Sequence, residues 1–151
     1  MSGKYSELCD LAKRGLALFW GKPFEKLSEP EQVFRAIWEL EGDVNNGGFA
    51  QYYFNSSGNT AWFAPAALEQ IGARTASKIV TDANALFPSG SPHEDQHKRE
   101  KQLDKIDQDL FESFDDQYMS YPDNLRELLH TYVSKHRGQI ACADQFITDR
   151  D

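Results

Sequence analysis

Cysteine is scarce in this chain of 151 residues: Cys9 and Cys142 are the only two, and they lie near opposite ends. That excludes a disulfide framework and fits a reducing compartment. Long apolar runs are also missing, so no segment is expected to span a bilayer. The opening Met1-Ser2-Gly3-Lys4-Tyr5-Ser6-Glu7 lacks the charged-then-apolar order of a secretory leader, and the expected location is cytoplasmic. Six prolines and ten glycines are too few for a low-complexity chain, and no repeat recurs at solenoid periods. Basic charge is in deficit, with 16 Lys and Arg against 24 Asp and Glu for a formal net charge of −8. Direct nucleic-acid binding is disfavoured by that balance. No G-x-S-x-G elbow, phosphate loop or dinucleotide fingerprint occurs, so no catalytic residue and no cofactor is expected.

One catalytic pattern does occur and fails on context. His93-Glu94-Asp95-Gln96-His97 matches the H-E-x-x-H signature of zinc proteases, in which two histidines one helical turn apart hold the metal. A catalytic zinc helix must lie against a core that fixes its ligands. Here the motif follows a Ser/Gly/Pro loop and precedes Lys98-Arg99-Glu100-Lys101-Gln102, with no apolar residue between Pro92 and Leu103. A solvated helix start is expected and no metal site. His130 and His136, six residues apart, fall on different helix faces, and Cys9 reads as a small hydrophobe.

What the chain has in quantity is helical periodicity. Apolar content of 40% and aromatic content of 13% suffice for one core. The expected fold is all-α, a single compact multi-helix domain over residues 1–151 with short loops. Tyr5, Leu8, Ala12, Leu16 and Phe19 mark a first helix ended by Gly21-Lys22-Pro23. Ser28-Glu29-Pro30-Glu31 is a capping box that opens a second helix, expected to close at Gly42. Pro65 falls in the first turn of a short helix leading to Gly72, and Arg74 to Phe87 forms the next. Alanines at 61, 64, 66, 67, 73, 76, 83 and 85 let helices approach closely. Pro88-Ser89-Gly90-Ser91-Pro92 is a loop. Leu103, Ile106, Leu110, Phe114 and Tyr118 define a further stripe, with Asp107 near its edge as a cap or kink. Asp123 is expected to cap the helix from Leu125 to His136, and a last helical piece should cover Ile140 to Ile147 before Thr148–Asp151 fray.

The organising stretch runs from Trp38 to Gly58. Asn45-Asn46-Gly47-Gly48 supplies four residues tolerant of positive φ, and Phe49, Tyr52 and Tyr53 follow at helical spacing. A helix, a tight corner and a second short helix are expected. Asn46, Gln51 and Asn55 have two readings. They line a polar pocket for a small ligand, or they satisfy orphan backbone groups at two helix ends.

Charge is unevenly distributed. Residues 104–127 hold Asp104, Asp107, Asp109, Glu112, Asp115, Asp116, Asp123 and Glu127 against only Lys105 and Arg126. Helical phase places Asp109, Glu112 and Asp116 opposite the apolar stripe. Such a face attracts basic surfaces, or serves only as a solvated exterior.

Asp43, Val44, Asn45-Asn46-Gly47-Gly48-Phe49, Gln51, Tyr52-Tyr53, Asn55, Ser57 and Gly58, followed by Ile71-Gly72-Ala73 and Asp115-Asp116-Gln117-Tyr118, resemble a bacterial family. Its domains are similar to an acidic DNA-mimic protein. The resemblance covers about residues 30–137. It implies an all-helical domain, a possible homodimer, and a negative surface that imitates duplex DNA on the DNA-binding face of a transcription factor. On that basis Asp109, Glu112, Asp115 and Asp116 are the expected contacts with a basic, DNA-binding partner, with no membrane association. The motif residues Asn45, Asn46, Gly47, Gly48, Phe49, Gln51 and Asn55 have a mainly structural role. An immunity or antitoxin-like inhibitor of a basic nuclease is the alternative use of the same acids, and a small-ligand domain the alternative use of the amides.

Overall fold

Helical periodicity is realised throughout a computed structural model that describes residues 3–144 and Phe146. Seven α-helices form among the described residues and no strand does, so the fold is all-α. No helix among them is long and apolar enough to cross a membrane. Packing divides the described residues between two units, Met1–Arg35 with Asn124–Asp151, and Ala36–Asp123.

The first unit contains α1 (Gly3–Phe19), the opening turns of α2 (Glu29–Phe54) and α7 (Leu125–Lys135). Leu8, Leu11, Phe19, Val33, Phe34, Leu129 and Val133 form its buried interior, with Phe19 edge-on to Phe34 at 5.7 Å. The capping box is present with both bonds. Glu31 N donates to Ser28 Oγ at 3.2 Å, and Ser28 N donates to Glu31 Oε1 at 3.0 Å. The same two side chains fix the later chain, because Ser28 Oγ donates to Gln139 O and Glu31 Oε2 accepts from Ala141 N. His130, buried on α7, pairs with the Glu7 carboxylate from α1. Beyond Lys135 the chain makes a 3-10 turn at Arg137–Gln139 and then irregular turns. The helix expected from Ile140 is therefore absent up to Asp144, with those backbone groups bonded to Ser28, Glu31 and local turns instead. Ile147 and Thr148–Asp151 lie outside the described residues.

The second unit contains the rest of α2, α3 (Ala64–Gln70), α4 (Arg74–Asn84), α5 (Gln96–Leu103) and α6 (Glu112–Met119). Pro65 sits in the first turn of α3 as expected. That helix ends at Gly72, whose φ of 88° closes a Schellman motif: Ala73 N bonds Leu68 O at 2.8 Å and Gly72 N bonds Glu69 O at 3.0 Å. Buried alanines at 64, 67, 73, 76 and 83 let α3 and α4 pack as a hairpin.

Three expectations fail here for physical reasons. Gly42 does not end a helix: α2 continues through it, and Gly42 is an exposed interior residue of the helix. Asp123 does not cap α7, which Asn124 caps; its Oδ2 instead accepts from Ala76 N at 2.8 Å and so caps α4. The stripe from Leu103 to Tyr118 is not one helix either. Asp107 accepts from Asp109 N and starts a 3-10 turn at Gln108–Phe111, which shifts the phase. Phe111 is consequently buried and Leu110 exposed.

Candidate functional site

The site is built around Gly48, the single non-helical residue inside α2, with φ 82° and ψ −176°. That region of backbone space is essentially restricted to glycine. The break leaves the N–H of Phe49 without an intrahelical acceptor, as at any helix start. Asp115 on α6 supplies one: its Oδ1 accepts from Phe49 N at 2.7 Å. A Cβ added to Gly48 would stand 2.5 Å from Asp115 Oδ2, so the bare glycine is what admits the carboxylate. The four-residue corner expected at Asn45–Gly48 is thus a kink at one residue.

The far end of this short segment, Phe49–Phe54, is closed by Arg99 of α5. Arg99 is fully buried, and its guanidinium uses every donor it has. Nε donates to Tyr53 O at 2.6 Å, Nη1 to His93 O and Glu94 O, and Nη2 to Asn55 O at 2.7 Å and Asn59 Oδ1 at 3.0 Å. Gly58 permits this approach, since a Cβ there would lie 2.8 Å from Arg99 Nε and 2.6 Å from Tyr52 O. A carboxylate at the N-terminal end and a guanidinium at the C-terminal end together complement the dipole of the segment. Burial lowers the proton affinity of Arg99, but neighbouring acidic groups oppose the shift.

Between the two clamps the aromatics form the core. Phe49 packs edge-on against Tyr118 at 5.8 Å and Tyr53 edge-on against Phe87 at 4.7 Å, while Phe111 lies tilted against Tyr53 at 5.2 Å. Tyr53 Oη donates to Asn84 Oδ1 at 2.7 Å. Tyr118 Oη donates to Glu41 Oε2 at 2.6 Å, and burial beside that carboxylate raises its pKa well above the ordinary phenol value. Tyr121, itself at φ 51°, bonds Asn45 Oδ1 through its hydroxyl at 2.8 Å. Residues 115, 118 and 121 thereby tie α6 and the turn after it to α2.

The amides are paired, but not in the expected way. Asn46 Nδ2 donates to Gln51 Oε1 at 3.3 Å, Gln51 Nε2 to Asp43 Oδ1 at 2.9 Å, and Asn55 Nδ2 to Asp43 Oδ1 at 3.4 Å. Only Asn45 bonds backbone, at Glu41 O. The helix-end groups assigned to these amides are taken by Asp115 and Arg99 instead, whose charge makes the stronger bonds. A groove of about 250 Å³ between α4 and α6 is lined by Thr75, Lys78, Ile79, Asp82, Gln117 and Ser120, and none of the amides lines it.

The four acids chosen from sequence divide. Asp109, Glu112 and Asp116 are exposed and form no ion pair among the described residues, whereas Asp10, Asp82, Glu100 and Glu127 each meet a base. Asp115 is half-buried and committed to Phe49. Desolvation raises its pKa, Asp116 and Glu112 add to the rise, and the bond from Phe49 N opposes it.

The H-E-x-x-H residues do not form a helical pair. Asp95 caps α5 by accepting from Lys98 N, so His93 precedes the helix and His97 lies in its first turn. No group of metal-ligating side chains occurs among the described residues. Cys9 and Cys142 are free and half-buried.

Arg99 and Glu41 were not singled out by sequence reasoning. Gly58 was the available signal for Arg99, as a glycine that marks close approach. Residues 25–136, well over half of the chain, match the family model described as DMP19-like protein. No curated protein and no solved structure matches.

Proposed function

This chain belongs to the DMP19-like protein family, and from that membership we propose that it is a DNA mimic that occupies the DNA-binding surface of a basic protein, probing it with α6. One observation carries the reading: Asp109, Glu112 and Asp116 are exposed and un-neutralised, in the stretch where the negative charge of the chain concentrates. Glu112 and Asp116 are one helical turn apart on the same face. Their separation, about 6 Å along the axis, is of the order of phosphate spacing on a duplex strand.

The chemistry is occupancy rather than catalysis. Lysines and arginines that would neutralise phosphates meet carboxylates, and attraction between unlike surfaces accelerates encounter in a salt-dependent way. Asp115 contributes differently. Bonded to Phe49 N, it positions α6 against the kinked segment, so the exposed acids are displayed from a fixed helix. The bonds from Tyr118 and Tyr121 to α2 serve the same purpose.

The test is affinity capture from bacterial lysate at low and high salt, with bound proteins identified by mass spectrometry and then challenged with duplex DNA. A DNA-binding protein retained at low salt, released by duplex and lost when Asp109, Glu112 and Asp116 are all replaced by Lys is the expected result. Capture that survives the charge reversal, or that duplex cannot compete away, would overturn the proposal. A captured nuclease in place of a transcription factor would assign the same surface to inhibition of that enzyme.

A further inference from the structure

Met119 and Leu110 leave 41% and 52% of their surface in solvent although both flank a packed aromatic core. On α6, Glu112, Asp116 and Met119 stand at i, i+4 and i+7 and share one stripe. Tyr118 faces inward, while Ser113 and Gln117 lie beside the stripe and bond each other at 3.0 Å. Leu110 belongs to the 3-10 turn that leads directly into Glu112. The stripe therefore carries two carboxylates and ends in a large apolar side chain, Met119, while Leu110 is exposed on the turn that precedes the helix.

We infer that this face docks on a basic protein surface that carries apolar side chains among its cations, with Met119 as the anchor on the stripe and Leu110 as a second apolar contact from the turn before it. The inference rests on the reading of α6 as the interaction face and adds the second component of recognition. Charge complementarity fixes the sign of the occupant. Its apolar part follows from competition: the grip of a duplex on a basic protein weakens steeply with salt through counterion release, and a helix with a few carboxylates presents fewer charges than a duplex. A contribution that salt does not screen is what lets such a protein displace DNA, and apolar burial is of that kind. Methionine, unbranched and polarizable, adapts to an irregular partner surface.

Two arginine-rich helical peptides, identical except that one carries a central leucine and the other a serine, serve as probes. Their binding to the full chain is measured by fluorescence anisotropy at low and high salt. The leucine peptide should bind about tenfold more tightly, the worth of one largely buried aliphatic side chain, and keep that advantage at high salt. Met119→Ala with Leu110→Ala should remove the advantage and leave the salt slope unchanged. Glu112→Gln with Asp116→Asn should weaken both peptides and flatten the slope. Equal binding of the two peptides, or a leucine preference that survives the double alanine variant, overturns the inference while the acidic-face reading stands. If the charge-neutralised variant binds both peptides as the wild type does, the reading itself fails and takes the inference with it.

Discussion

Replacing Gly48 by alanine tests the architecture of the site most directly, because two separate costs fall on one methyl group. The backbone of Gly48 lies at φ 82° and ψ −176°, a conformation that costs a non-glycine residue about 1–3 kcal/mol. The new Cβ would also meet Asp115 Oδ2 at 2.5 Å and drive the carboxylate from Phe49 N. A hydrogen bond to a charged group contributes about 1.5–3 kcal/mol. Together these predict a loss of about 2.5–6 kcal/mol, a large part of the roughly 5–15 kcal/mol that holds a domain folded. Urea denaturation should show a lower midpoint with an unchanged m-value, and Tm should fall by roughly 5–24 °C at this chain length. Gly42→Ala is the internal control. Gly42 is helical, with open space around its missing Cβ, so alanine there should stabilise by about 0.5–1 kcal/mol. The reasoning is refuted if Gly48→Ala stays within about 0.5 kcal/mol of wild type, the usual range of innocuous surface substitutions. A destabilising Gly42→Ala would show that α2 ends there after all.

Three further outcomes follow from the same geometry. Arg99→Met should cost about 3–5 kcal/mol by stranding buried carbonyls of residues 53 and 55, and Arg99→Lys should recover only part of this because an ammonium cannot reproduce the fork; thermal melts separate the two. Asp115→Ala should destabilise by about 1.5–3 kcal/mol through the orphaned Phe49 N–H, whereas Asp115→Asn keeps an acceptor. Because the folded-state pKa of Asp115 is raised, the wild type binds this proton more tightly when folded and gains stability relative to the Asn variant as pH falls toward that pKa. Denaturation at neutral pH and near pH 4 should show the wild type gaining on the Asn variant at the lower pH, and a parallel pair of profiles would contradict it. Ser28→Ala should cost about 1 kcal/mol by opening the capping box, read from the same urea titration.

Local chemistry determined much of this protein before any fold was known. Ser28 and Glu31 find each other because both partners of a capping box lie within one helical turn. Gly72 ends α3 because the alanine-rich run before it is helical and glycine alone takes the following left-handed turn without cost. The all-α class, the α3–α4 hairpin and the outward placement of Glu112 and Asp116 follow from a period of 3.6 residues. The tertiary structure decided which of several equivalent residues does what. Gly42, Gly47 and Gly48 were all credible breaks; only Gly48 receives a carboxylate from a helix more than sixty residues away. Asp115 and Asp116 are neighbours in sequence, yet one is a clamp and the other is solvent-facing, because Asp115 turns toward α2. Arg99 sits in a run of charges, yet all its guanidinium donors are used, a fact that resides in acceptors contributed by α2 and two loops. Periodicity is a local property and can be read along a chain, but the partner of a buried charge is chosen by packing, which brings together residues that no spacing rule connects.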